Sequence, residues 1–283
     1  MKKIAVLFVF AVASGLAFAQ GDATICHTSP MEKFSVMAAN KDFNSSAAHQ
    51  KPRTYVHVTQ AGGKMVSFKT PDGKEAKGYL LEAKNKTNNW IFVFQEWWGL
   101  NDNIKRQAEQ LFTDMGNANV FALDMYDGIV TADPAVARKL FTEFKQDRGD
   151  AIVKGALDYA GKNAKVGTIG WCFGGTQSLM AALTLGKHAS GCVMYYGMPV
   201  DDVETLKKLN TDVLGIFAAK EKYITQDIVK KFETNMKAAG KNITVKNYDA
   251  EHGFANPSNA IYDKASTEDA YKHTLAFFRE RLK

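Results

Sequence analysis

The sequence predicts an α/β fold built on a mainly parallel, twisted sheet with helices on both faces. Three observations predict it. From residue 90 onward, strand-like and helix-like runs alternate with short connections, the pattern of right-handed crossovers between parallel strands. Residues 90–94, Trp-Ile-Phe-Val-Phe, are continuously apolar, as a strand covered on both faces should be. Finally, Gly170-Trp171-Cys172-Phe173-Gly174 makes a tight turn between a β-like run at 165–169 and a helical run at 177–183.

Taken in order, residues 1–19 read as an export signal. Lys2 and Lys3 precede an apolar run at 4–18, and Ala17-Phe18-Ala19 is a small-x-small cleavage site. Ser14 and Gly15 interrupt the run, which is short for a membrane span. Residues 20–53 show no sustained periodicity and read as an irregular extension, leaving 54–283 as one catalytic domain. Alternation at 54–58 and 64–68 across Gly62-Gly63 predicts an antiparallel N-terminal hairpin. The turn Thr70-Pro71-Asp72-Gly73-Lys74 then leads into a strand at 76–83.

Beyond residues 90–94, Ile104, Ala108, Leu111, Phe112 and Met115 mark one face of a helix over 101–115. A strand is expected at 119–123. Asp133-Pro134 is a capping carboxylate followed by proline at the first helical position, so helix is expected from there to 145, and again at 150–159. Strands follow at 191–196, 213–218 and 243–248, with helices at 202–209, 226–239 and 267–282.

Composition excludes several function classes. With 46% hydrophobic and 23% charged residues, the 283-residue chain can bury a sizeable core. The formal charge is +6, falling to +4 without the signal lysines, and its basic residues are interleaved with acids, as in Lys220-Glu221-Lys222. That pattern is a solvated mixed surface and excludes a nucleic-acid footprint. No later stretch is apolar enough for stable membrane insertion. The expected product is periplasmic or secreted. Three cysteines, Cys26, Cys172 and Cys192, are an odd number, so one thiol stays free in an oxidising compartment unless chains pair. Cys192 lies in an apolar run and reads as a core residue, with a Cys26–Cys192 bridge left open. No Cys/His grouping has zinc-ligand spacing, and no metal or organic cofactor is implied.

The turn at Cys172 has the form of the nucleophile elbow of an α/β-hydrolase, with cysteine as the nucleophile. The two glycines let strand and helix approach closely, and the sulfur lands at a helix N-terminus, where backbone N–H groups favour a thiolate. Reactive residues gather at the carboxyl ends of strands in such sheets. Of the six histidines, only His252 directly follows a late parallel strand, in Glu251-His252-Gly253-Phe254, which makes it the candidate base. The orienting acid should follow the strand at 213–218. Glu221 is there, with Asp227 in reserve and Asp249 or Glu251 less well placed. The loop Gln95-Glu96-Trp97-Trp98-Gly99 is positioned to supply an oxyanion N–H from Trp97, alongside that of Phe173. Glu96 would point into the site, and Trp98, Tyr126 and Phe254 are candidates to line the substrate pocket.

With Gln-Glu-Trp-Trp-Gly-Leu-Asn at 95–101, Gly-Trp-Cys-Phe-Gly-Gly at 170–175 and Glu-His-Gly-Phe at 251–254, the chain resembles the dienelactone hydrolase family over residues 65–282. The resemblance implies an α/β-hydrolase fold, a Cys-His-acid triad, and a glutamate (Glu96) that helps control the thiol's ionisation. The family's triad acid is usually aspartate, where this chain has Glu221. Arginines that hold the substrate carboxylate in the family are missing from 125–128 and 254–256. The expected activity is hydrolysis of carboxylic esters or lactones through an acyl-thioester. Acyl transfer on the same site, or a non-catalytic binding domain, are the alternatives. The residues do not specify the acyl group, the alcohol or the oligomeric state.

Overall fold

The computed structural model describes residues 29–40, 43 and 46–283; residues 1–19, expected to be an export signal, and Cys26 lie outside them. Its centre is an eight-stranded sheet in the order β1-β2-β4-β3-β5-β6-β7-β8. β1 (Lys64–Lys69) and β2 (Glu75–Leu81) pair antiparallel around the 70–74 turn. β2 continues antiparallel onto β4 (Asn119–Leu123). From there every pairing is parallel, through β3 (Asn89–Phe94), β5 (Lys165–Trp171), β6 (Ala189–Tyr195), β7 (Val213–Ala218) and β8 (Ile243–Tyr248). This is the α/β-hydrolase arrangement that the sequence predicts.

The apolar strands serve two cores because side chains alternate across the pleat. On β3, Trp90, Phe92 and Phe94 face one core while Ile91 and Val93 face the other. The second core is closed by α2 (Asp102–Met115) and α8 (Lys264–Arg281), through Ile104, Leu111 and Phe278. The first is closed by α1 (Pro30–Ala38), α3 (Pro134–Glu143), α4 (Gln146–Ala160), α5 (Phe173–Leu185) and α7 (Gln226–Ala238). A single turn, α6 (Val203–Leu206), stands where a longer helix is expected at 202–209. The cap at Asp133 is as the sequence predicts, its side chain accepting from Ala135 N–H at 2.8 Å. No helix among the described residues is long and apolar enough to cross a membrane.

Two expectations are corrected. Residues 54–58 form no strand, so the hairpin is β1–β2 and joins through 70–74 instead of Gly62-Gly63. Side chains from the domain hold this stretch instead. His57 N–H donates to Asp102 at 3.1 Å, and its ring meets Tyr79 Oη at 3.1 Å and Glu109 at 3.2 Å. The extension is not wholly irregular either. Ser29 and Glu32 form a reciprocal capping box with Pro30 in the first turn, and α1 follows.

Candidate active site

β5 passes the chain to α5 through one residue, Cys172. Its φ of 56° and ψ of −118° are a strained conformation for a side chain with a Cβ, costing about 1–3 kcal/mol. Neighbouring backbone enforces it. Cys172 N–H donates to Tyr195 O at 3.0 Å, and Gly175 N–H returns to Cys172 O at 3.0 Å. The flanking glycines are required by close backbone approach. A Cβ on Gly170 would lie 2.1 Å from Gly174 O, and one on Gly174 would lie 2.2 Å from Phe94 O. The second approach sets the first turn of α5 against the end of β3. The N–H of Phe173, at the first helical position, has no intrahelical acceptor.

His252 follows β8 and is 7% exposed. Its Nδ1 is engaged by Glu221 Oε2, and Glu221 is further held by accepting from Tyr223 N–H at 3.1 Å. Burial pulls the His252 pKa down, but the carboxylate of Glu221 and the sulfur of Cys172 outweigh it and hold it well above the ordinary value. For Glu221, burial raises the pKa while His252 lowers it, and the net direction is down. The pair is therefore built to carry imidazolium against carboxylate. Asp227 sits in the first turn of α7, Asp249 is exposed and paired with Lys220 at 3.1 Å, and Glu251 is exposed. Glu221 is thus the acid that reaches His252.

Glu96 is buried and accepts from Asn256 Nδ2, and Asn256 Oδ1 in turn accepts from Asn103 Nδ2 at 3.0 Å and Ser258 Oγ at 2.6 Å. Burial pushes the Glu96 pKa up to about 7, against the opposing effects of His252 and Asn256. Its hydrogen-bond partner is an amide rather than the thiol. Asn256 occupies one region where the resemblance leads one to look for arginine, and there it binds a protein carboxyl group.

Of the expected pocket residues, Tyr126 stacks on Phe173 at 5.3 Å, and its hydroxyl is raised well above its ordinary pKa by burial, then by Cys172. Trp97 and Trp98 pack edge-to-face at 4.8 Å, both buried. Phe254 is fully buried against Tyr196 and Tyr248, so it is core and not a pocket wall. A cavity of about 440 Å³ is lined by Ala48, His49, Glu221, Tyr223 and His252 among others. Trp98, Tyr126 and Phe254 are absent from its walls. Its lining includes His252 and Glu221 but not Cys172, which is 5% exposed.

The residue that sequence reasoning missed is His49. It closes a 3₁₀ turn at Ala47–His49 in the extension and is 2% exposed. Its ring lies 3.9 Å from that of Phe43, 4.7 Å from Trp97 and 5.4 Å from His252. One donor atom from each of His49, Cys172 and His252 lies within 4.8 Å of the other two. Such a thiol–imidazole set is also one that a thiophilic cation could use. No local motif marks His49, because a lone histidine in a polar stretch acquires its neighbours only through tertiary packing.

Residues 76–282 match the model of the dienelactone hydrolase family. This chain belongs to that family. Within it, the chain is 30% identical over 237 residues to protein usf of Aquifex pyrophilus, covering 78% of this chain and 99% of that one. It is 28% identical over 238 residues to a putative carboxymethylenebutenolidase of Aquifex aeolicus, covering 78% of this chain and all of that one. The structure of a putative dienelactone hydrolase from Klebsiella pneumoniae superposes with a TM-score of 0.67 at 22% identity, over 76% of this chain and 98% of that chain, and so shares the fold. The protein is a dienelactone hydrolase-like hydrolase with the α/β-hydrolase fold.

Proposed function

We propose that this chain is an exported cysteine hydrolase of carboxylic esters or lactones, acting through an acyl-thioester on Cys172. The carrying observation is the buried line Glu221–His252–Cys172 at the elbow, in which Glu221 engages Nδ1 and leaves Nε2 on the sulfur side. The relatives' ester and lactone chemistry supports the substrate class.

In this mechanism His252 Nε2 takes the thiol proton and the thiolate attacks the acyl carbon. The developing oxyanion is met by the N–H groups of Phe173 and Trp97. Collapse transfers the proton from His252 to the leaving alcohol and leaves the acyl group on sulfur. Water then adds to the thioester, giving a proton to His252, and the carboxylic acid departs. Glu221 holds the Nδ1–H tautomer and stabilises imidazolium. Glu96, already close to half-protonated at neutral pH, holds Asn256 and the loop after His252 in place. The export signal at residues 1–19 would put this chemistry outside the cytoplasm.

Stopped-flow hydrolysis of a short-chain p-nitrophenyl ester, with intact-mass spectrometry of the quenched protein, tests the proposal. One acyl group per chain should appear on Cys172, and Cys172→Ala should abolish both burst and turnover. Full turnover by Cys172→Ala would overturn it. The mature mass from periplasm or medium should begin at Gln20; retention of residues 1–19 there would overturn the export assignment.

A further inference from the structure

Thioester hydrolysis in a buried site has a proton problem. The attacking water has two hydrogens; the base takes one, and the other needs an acceptor of its own. In an open site bulk solvent supplies that acceptor, but Cys172 and His252 are only 5% and 7% exposed. An unsatisfied hydrogen there would cost about 1–3 kcal/mol.

The extension brings a second acceptor into the same space. His49 Nδ1 lies 2.7 Å from Phe43 O and 2.8 Å from Ser46 Oγ. A carbonyl oxygen can only accept, so Nδ1 carries the hydrogen and the lone pair resides on Nε2. His252 likewise carries a hydrogen on Nδ1, which faces the Glu221 carboxylate, so its Nε2 is the atom that exchanges a proton. One ring nitrogen of each histidine lies within 4.8 Å of the other and of the sulfur, and with both Nδ1 atoms engaged elsewhere the Nε2 atoms are the ones free to meet a water there. Each Nε2 is buried without a hydrogen-bond partner of ordinary geometry among the described residues. Two acceptors bridged by one water stand roughly 4.5–5 Å apart when each hydrogen bond is about 2.8 Å long. The observed convergence has that scale, with the sulfur alongside.

His49 is also held as a fixture. Ala48 O accepts from Asn259 Nδ2 at 3.0 Å, and Arg53 N–H donates to Ser258 O at 2.8 Å. Both anchors lie on the loop that follows His252, so the two imidazoles are tied to one piece of backbone. Their acidities diverge. Burial, then the neighbouring His252, lowers the His49 pKa to about 3, while that of His252 is raised. One ring is suited to take a proton and the other only to accept a hydrogen bond.

We propose that His49 is a positioning residue for deacylation: its Nε2 accepts one hydrogen of the hydrolytic water while His252 Nε2 removes the other. The water oxygen bonds to the thioester carbon, one O–H bond breaks toward His252, and the C–S bond breaks as the tetrahedral species collapses. The departing thiolate recovers the proton from imidazolium, and His49 remains neutral throughout. Acylation uses no water, so it does not need His49. This rests on the thioester mechanism proposed above.

The test is a pre-steady-state comparison on the full mature chain. His49→Phe keeps an aromatic ring against Phe43 and Trp97 but removes the acceptor, whereas His49→Gln keeps an acceptor at similar reach. For His49→Phe, the p-nitrophenol burst should stay within about twofold of wild type while steady-state turnover falls roughly 10–100-fold, the scale of a lost orienting contact. The acyl adduct on Cys172 should then persist in the intact mass. His49→Gln should recover most of the deacylation rate. Hydroxylamine, which attacks thioesters without base assistance, should clear the adduct equally fast in wild type and His49→Phe. Wild-type deacylation by His49→Phe overturns the proposal. So does an equal loss of burst and turnover with slow hydroxylamine release, which marks general damage to the site. Full turnover by Cys172→Ala would instead remove the thioester mechanism itself, a separate and recognisable failure.

Discussion

Two buried cysteines lie at the heart of this sheet, and their surroundings could hardly differ more. Cys192 is mid-strand on β6, fully buried, with Ser178 Oγ at 3.5 Å, and burial pushes its thiol pKa up to about 11. Cys172 is nearly as buried, yet it sits in a left-handed turn at a helix N-terminus with imidazole atoms within 4.8 Å. Burial alone makes a thiol inert. What separates the two is a strained backbone that lifts one sulfur off the strand, and imidazole nitrogens within 4.8 Å of where it lands.

The sharpest way to break that contrast is to remove each sulfur in turn. Cys172→Ala should cost at least about 10⁴-fold in ester turnover, as loss of a nucleophile does. Cys192→Ala should leave turnover within about twofold and lower stability by about 1 kcal/mol, measured by denaturant unfolding. Comparable losses from both would show that the elbow is not special. Next in size, Glu221→Gln removes the charge behind His252 while keeping the shape, and turnover should fall roughly 10²–10⁴-fold, with Glu221→Asp recovering part of it. Iodoacetamide at pH 7–8 should label Cys172 and spare Cys192 until the protein is unfolded; peptide mapping that finds Cys192 modified in the folded protein would contradict its high pKa.

The effect expected at Glu96 is on stability and its pH dependence. Its folded pKa of about 7 is raised above the ordinary 4.5, so its contribution to stability is full below about pH 4.5 and is lost as pH rises through 7. That shift corresponds to about 3 kcal/mol. Glu96→Gln should flatten the fall in melting temperature between pH 5 and 8; an unchanged slope would mean the carboxyl group is not held protonated.

Much of this was legible in the residues. The strands at 90–94 and 119–123 are apolar throughout because both faces are covered, and their bounds match the structure to within one residue. Glycines 170 and 174, whose backbones touch neighbouring carbonyls, announce the elbow. Glu221 and His252 follow parallel strands, and that shared placement is what lets their side chains meet. Residues 54–58 misled because alternation does not supply a neighbour: Val56 and Val58 remain exposed, and His57 is drawn to side chains of the domain. Helix α1 did leave a signal in Ser29-Pro30-Met31-Glu32, but its apolar stripe of Phe34, Met37 and Ala38 is too short to show as a period. His49 left none, since its place beside His252 depends on contacts across two hundred residues of chain.

The family's match begins at Ala76, one residue into β2, and so excludes β1. Yet β1 pairs with β2 at six consecutive positions and ends the sheet on that side. A fragment trimmed to the shared homology would uncover a full row of amides and carbonyls on β2, an open template for self-association. The stretch matched by the family and the stretch that completes this sheet are, in this molecule, different lengths of chain.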